Sequence, residues 1–134
     1  MLQVEYKAKD EVCEQMVADL ICTAFEGGIG HWAAVDAYKK PEKLFKWDLV
    51  GTIGGAVYKY VQYPMSEGGA VMLSDSQGET DDIWTLDLPS IKKGLVVMAT
   101  KYPRHYRNFL KEQSDAETGD VFIQCCIFGE LVYG

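Results

Sequence analysis

Arginine and histidine are scarce in this chain: two of each among 134 residues, at Arg104, Arg107, His31 and His105. Neither histidine has a second ligand at a recognisable spacing, which leaves no imidazole-based metal centre to propose. Cysteine is little used. Cys13, Cys22, Cys125 and Cys126 lie in apolar helical patterns without the Cys-x-x-Cys spacing of a zinc site. The adjacent pair Cys125-Cys126 would diverge on a helix, so all four read as small buried hydrophobes in a reducing compartment. No apolar run is long enough to cross a bilayer, and the opening Met-Leu-Gln-Val-Glu-Tyr-Lys has no signal-peptide pattern. The expected location is therefore a cytoplasm, with no membrane partner. A net charge of −7 argues against general nucleic-acid binding.

The acid is unevenly placed. From Leu88 to Lys111 there is none, while Lys92, Lys93, Lys101, Arg104, Arg107 and Lys111 give that segment +6 and leave −13 for the rest. The segment reads either as a solvated helical face or as a local anion site holding Arg104 and Arg107. Hydrophobic residues at 48% and charged residues at 25% are ordinary for one globular domain, taken as 1–134. At that size a core needs no staples.

Two stretches read alike. Asp19-Leu-Ile-Cys-Thr-Ala-Phe-Glu-Gly-Gly28 precedes Ile-Gly-His-Trp32, and Asp120-Val-Phe-Ile-Gln-Cys-Cys-Ile-Phe-Gly-Glu130 precedes Leu-Val-Tyr-Gly134. Each is an apolar helix stopping on glycine, with a glutamate at the stop and an aromatic beyond. Helices this apolar must be buried, most simply against each other.

Between them, Leu2–Lys7 alternates as a short strand, and Asp10 is a good N-cap for the first helix. Ile29–Tyr38 reads as either a strand or a short helix, with a strand favoured at its start; 39–43 is a loop, and Gly51–Gly55 is turn-rich. Ala56–Tyr63 is rich in β-formers and is predicted to be a strand. Ala70–Ser74 and Ile83–Asp87 form a hairpin around a polar loop, Pro89 starts a helix, and Arg104–Glu112 makes another. Ser114-Asp-Ala-Glu117 fits a capping box for the last helix. The fold class is α+β: a small antiparallel β-sheet with helices packed on one face, the N- and C-terminal helices paired in the core.

A site would lie at the paired helix ends. Gln124 is an amide inside an apolar helix, and leaving it unbonded would cost roughly 1–3 kcal/mol. Asp120, Thr23 and Glu26 are its candidate partners, and a ligand is the alternative. Glu26 and Glu130 sit at the negative ends of helix dipoles, where a carboxylate needs a base, backbone N–H groups or a ligand donor. Trp32 and Tyr133 offer flat faces. Gly27, Gly28 and Gly30 follow a helix rather than precede one, so no phosphate loop is formed. Ser74 and Ser90 have no base or acid at diagnostic spacing. No cofactor is implied.

These motifs resemble a widespread group of small bacteriophage and prophage proteins. Their first motif, of the form ILVTAFEGGINYW, is similar to Leu20–Trp32, and their last, DAxxADVIVQxALFGEIVYG, to Asp115–Gly134. Gly68–Leu73, Trp84–Leu88 and Lys93-Gly94 are similar in the middle. His31 stands where tyrosine or asparagine is frequent, and Gly119 where alanine is usual. The resemblance implies a phage accessory protein in the bacterial host cytoplasm, and it brings no particular activity with it. Such proteins commonly act on host defence. The reading that follows is a non-catalytic, sponge-like binder of a small nucleotide-type ligand. Glu26, His31, Trp32, Gln124, Glu130 and Tyr133 would line its site, and Arg104 and Arg107 would meet phosphates. Two rivals stand beside it: an acidic inhibitor that binds a host protein, and a nucleotide-acting enzyme using Glu26 and Glu130. A second copy of the chain is one candidate cover for the apolar Leu131-Val-Tyr133.

Overall fold

The computed structural model describes residues 2–4, 10–47 and 57–134. The turn-rich stretch at 51–55 falls outside them. A two-stranded ladder pairs β1 (Leu2–Val4) with β2 (Asp10–Val12). Asp10 thus belongs to a strand, and the N-cap position of the first helix falls at Cys13. Helix α1 (Glu14–Thr23) has Cys13 at its N-cap with no side-chain bond. It runs on into a widened turn, Ala24–Gly28, where the Ile29 N–H returns five residues to the Ala24 carbonyl at 3.0 Å.

A three-stranded antiparallel sheet follows, in the order β3 (Ala33–Lys39), β4 (Ala70–Asp75), β5 (Ile83–Asp87). Val71 pairs with Leu86 and Leu73 with Trp84, so these side chains share one face. Val71, Leu73 and Leu86 are fully buried under helices, whereas Ile83 on the opposite face is 51% exposed. A bulge at Asp36 interrupts the edge strand β3, a device that discourages edge-to-edge pairing.

Of the segment read as a strand at 56–63, residue 56 lies outside the described residues and 59–63 belong to helix α2 (Lys59–Met65), with Pro64 in its last turn. Its β-branched and aromatic residues are overridden by tertiary bonds. Gln62 Oε1 takes the Tyr58 N–H at the helix start, and Gln62 Nε2 donates to the Phe45 carbonyl. Helix α3 (Leu88–Lys101) begins on a reciprocal Asp87–Ser90 cap, with Pro89 in its first turn. Pro103 opens α4 (Pro103–Leu110), which lays the buried His105 beside Thr118 at 2.9 Å.

Helix α5 (Ala116–Phe128) starts one residue later than a Ser114 cap would place it. Asp115 takes the Thr118 N–H at 2.8 Å, and that bond holds its carboxyl below the usual range. Glu117 pairs with Arg104 instead of closing a box. Gly129 ends α5 in the left-handed conformation, φ 74°.

Glycine sets how α5 meets its neighbours. A Cβ on Gly119 would lie 2.9 Å from the Ala24 backbone, and one on Gly28 2.6 Å from the Ala116 carbonyl. The end of α1 therefore crosses the start of α5 at backbone contact, pairing the N- and C-terminal helices in the core. An alanine at 119 would have to open that crossing. On the other side, a Cβ on Gly94 would meet Cys126 Sγ and sit 2.9 Å from the Cys126 Cα. Gly94→Ala is expected to lower stability by about 1–3 kcal/mol through overpacking. Urea unfolding checks this, and an unchanged midpoint would contradict the close approach.

Candidate functional site

Asp120 lies in the second turn of α5, and its carboxylate collects three side chains. Trp32 Nε1 donates to Oδ1 at 2.7 Å, Gln124 Nε2 donates to Oδ1 at 3.0 Å, and His31 Nε2 lies 2.8 Å from Oδ2. The loop between the widened turn and β3 delivers His31 and Trp32 together. Gln124, one turn further along α5, extends the network to the segment after Gly129. Its Nε2 also donates to the Tyr133 carbonyl at 2.9 Å, while its Oε1 accepts the Val132 and Tyr133 N–H groups, each at 2.8 Å.

Gln124 is therefore satisfied four times within the chain, and it is 0% exposed. Of the expected partners Asp120 is present, but Thr23 and Glu26 are replaced by the backbone of 132 and 133. Trp32 is also 0% exposed. Its ring stacks on Tyr133, 5.4 Å between centroids and 5° from parallel, with Trp84 and Phe128 packed around it. In this arrangement neither Gln124 nor Trp32 has a polar atom or ring face to give a ligand. Both hold the core together. Tyr133 is half-buried and spends its exposed-side potential on the same stack. His31 alone in the cluster is well exposed, at 46% of its side chain.

The other expected residues lie outside the hydrogen bonds of this cluster. Arg104 makes an exposed 3.4 Å pair with Glu117, worth little in water, and Arg107 is exposed on the same helix. Glu130 is exposed just past α5, where Lys101 donates to the Gly129 carbonyl at 3.0 Å and Lys93 approaches Gly129. Part of the +6 segment thus answers the negative end of the α5 dipole. Glu26 is exposed on the widened turn beside Cys22. Burial, and then the Glu26 charge, push the Cys22 thiol up to about 11. Burial likewise pushes Cys125 up to about 12 and Cys126 well above its ordinary value. These three are inert core thiols. Cys13 departs from that reading, being exposed.

A cavity lies elsewhere. A volume of about 740 Å³ opens between the 39–45 loop and the end of α2. Lys39, Lys40 and Lys43 line it with Glu42, Leu44, Phe45, Met65, Ser66, Glu67 and Gly68. The signal for it was in the sequence: Lys39–Lys46 holds four lysines against one acid. Among the described residues, no cluster of three or more histidine, cysteine or acidic groups could hold a metal, and no helix is long and apolar enough to cross a membrane. Comparison with protein-family models, curated proteins and solved structures returned no match.

Replacing Gln124 by leucine would orphan two backbone N–H groups and a carbonyl. At about 1–3 kcal/mol for each buried unsatisfied group, partly relieved by water, the expected loss is roughly 2–4 kcal/mol. A chemical-denaturation loss below about 1 kcal/mol would show that segment 130–134 is not held as described.

Proposed function

We propose that this chain is a non-catalytic binder of a small nucleotide-type ligand, a phage accessory protein that counters bacterial host defence by sequestering that ligand in the host cytoplasm. The cavity at the 39–45 loop is the observation that carries the reading. Its volume of about 740 Å³ falls in the range that small-molecule sites occupy. Three ammonium groups, from Lys39, Lys40 and Lys43, can meet phosphate oxygens as strong point-charge donors. Phe45 and Met65 supply apolar surface for a base. Glu42 and Glu67 can accept bonds from sugar hydroxyls or exocyclic amines, which bare phosphate lacks. In a chain of net charge −7, a local lysine group is what lets an anion approach at all.

This places the ligand away from Trp32 and Gln124, whose polar atoms and ring faces are already engaged. It keeps the phosphate-meeting role but moves it from Arg104 and Arg107 to lysines.

ADP is a suitable probe, titrated calorimetrically at low salt. The wild type is expected to bind saturably and to return the nucleotide chemically unchanged. The triple variant Lys39→Ala, Lys40→Ala, Lys43→Ala is expected to bind at least about tenfold more weakly, because three charge-assisted contacts are gone. Equal binding by the triple variant, or none by the wild type across a nucleoside mono-, di- and triphosphate panel, would overturn the reading.

A further inference from the structure

The cavity wall is an arch with two feet. At one foot Pro41 is buried against Gly69, where an added Cβ would lie 3.1 Å from the proline ring and collide with the Tyr63 carbonyl. At the other, Phe45 is held by both backbone groups. Its N–H donates to Ser66 Oγ at 2.7 Å, and its carbonyl accepts from Gln62 Nε2 at 3.0 Å. Ser66 and Gln62 are themselves fixed. Ser66 Oγ donates to the Gln62 carbonyl at 2.6 Å, and Gln62 Oε1 accepts the Tyr58 N–H at 2.7 Å. Ser66 is 3% exposed and Gln62 5%. Between the feet, Glu42 and Lys43 stay exposed.

A three-residue span packed at one end and hydrogen-bonded at the other has little freedom left to lose when a ligand arrives. Lysine side chains normally pay heavily in rotamer and loop entropy to converge on one anion. Here the backbone that carries Lys43 is already placed, and Lys39 and Lys40 lead directly into the Pro41 foot. From this geometry we infer that Ser66 and Gln62 are positioning residues for anion capture: with their side chains bonded to Phe45, they hold the 41–45 arch so that Lys43 converges with Lys39 and Lys40. The inference rests on the ligand reading of this cavity and adds to it that Ser66, on the lining, and Gln62, behind it, set affinity by holding the arch.

The test uses ADP binding and hydrogen exchange at the Phe45 amide, on the full chain. Ser66→Ala is expected to speed Phe45 exchange and to weaken ADP binding by about tenfold, the order of one or two lost ordering contacts. Gln62→Met, which removes the second tie, is expected to do the same if Ser66→Ala fails to fold. Gly94→Ala, destabilising but remote on α3, should leave ADP affinity unchanged, which separates positioning from loss of stability. Faster Phe45 exchange in the variants with unaltered ADP affinity would overturn the positioning role while leaving the binding reading intact. Unaltered exchange at Phe45 would overturn the arch itself. Failure of the wild type to bind ADP or its panel removes the ligand reading, and this inference with it.

Discussion

The structure depends on one carboxylate. Asp120 is partly buried on α5, and it draws the indole of Trp32, the imidazole of His31 and the amide of Gln124 into a single network. Through Gln124 the same network reaches the backbone of residues 132 and 133. Three parts of the chain far apart in sequence are tied at one point: the loop after α1, the middle of α5 and the segment beyond Gly129. A buried polar cluster of this kind stabilises only when every member is paired, and no buried side-chain nitrogen or oxygen among the described residues is left without a partner. Trp32, Trp84, Phe128 and Tyr133 then close around it as one aromatic group.

The network can be this tight because the helices approach at glycine. Gly28 and Gly119 let the end of α1 touch α5 at its first turns, close to Asp120, and Gly94 lets α3 do so near Cys126. Larger residues at those crossings would separate the helices and lengthen the bonds to Asp120. The glycine at 119 costs helix propensity, by about 1 kcal/mol relative to alanine, and the close crossing offsets that cost. Packing and polar satisfaction therefore support each other, and the lysine-lined cavity lies away from this polar interior cluster.

Features written locally were legible in the sequence. The Gly129 stop and the hairpin around residues 75–82 each depend on a few neighbouring residues and are found as read. So are the α+β class and the pairing of the terminal helices. Helix α3 starts at Leu88, one residue before the Pro89 expected to open it. Where distant bonds decide, local reading falls short. Ala56–Tyr63 has the composition of a strand, yet Gln62 bonding to Phe45 across 17 residues makes its second half a helix. The cap of α5 shifted by one residue because Asp115 is the carboxylate in reach of Thr118. Gln124 was recognised as the polar clue, but its partners could not be, since the Tyr133 and Val132 backbone reaches it only once the chain folds back. The lysine cavity was hidden for the same reason: the 39–46 loop looks like a solvated charge run until Ser66 and Gln62 fasten it.

What emerges is a division of labour. The residues that stand out in sequence hold the fold, and in the proposed reading a plainer lysine loop offers the anion a place. The two can be told apart by the NMR spectrum of the backbone amides and tryptophan indoles as ADP is added. The account predicts saturable shifts at Lys39–Phe45 and Ser66–Gly68, with the Trp32 indole and the Gln124 side-chain amide unmoved. Shifts of the Trp32 indole and Gln124 amide with a silent 39–45 loop would contradict it.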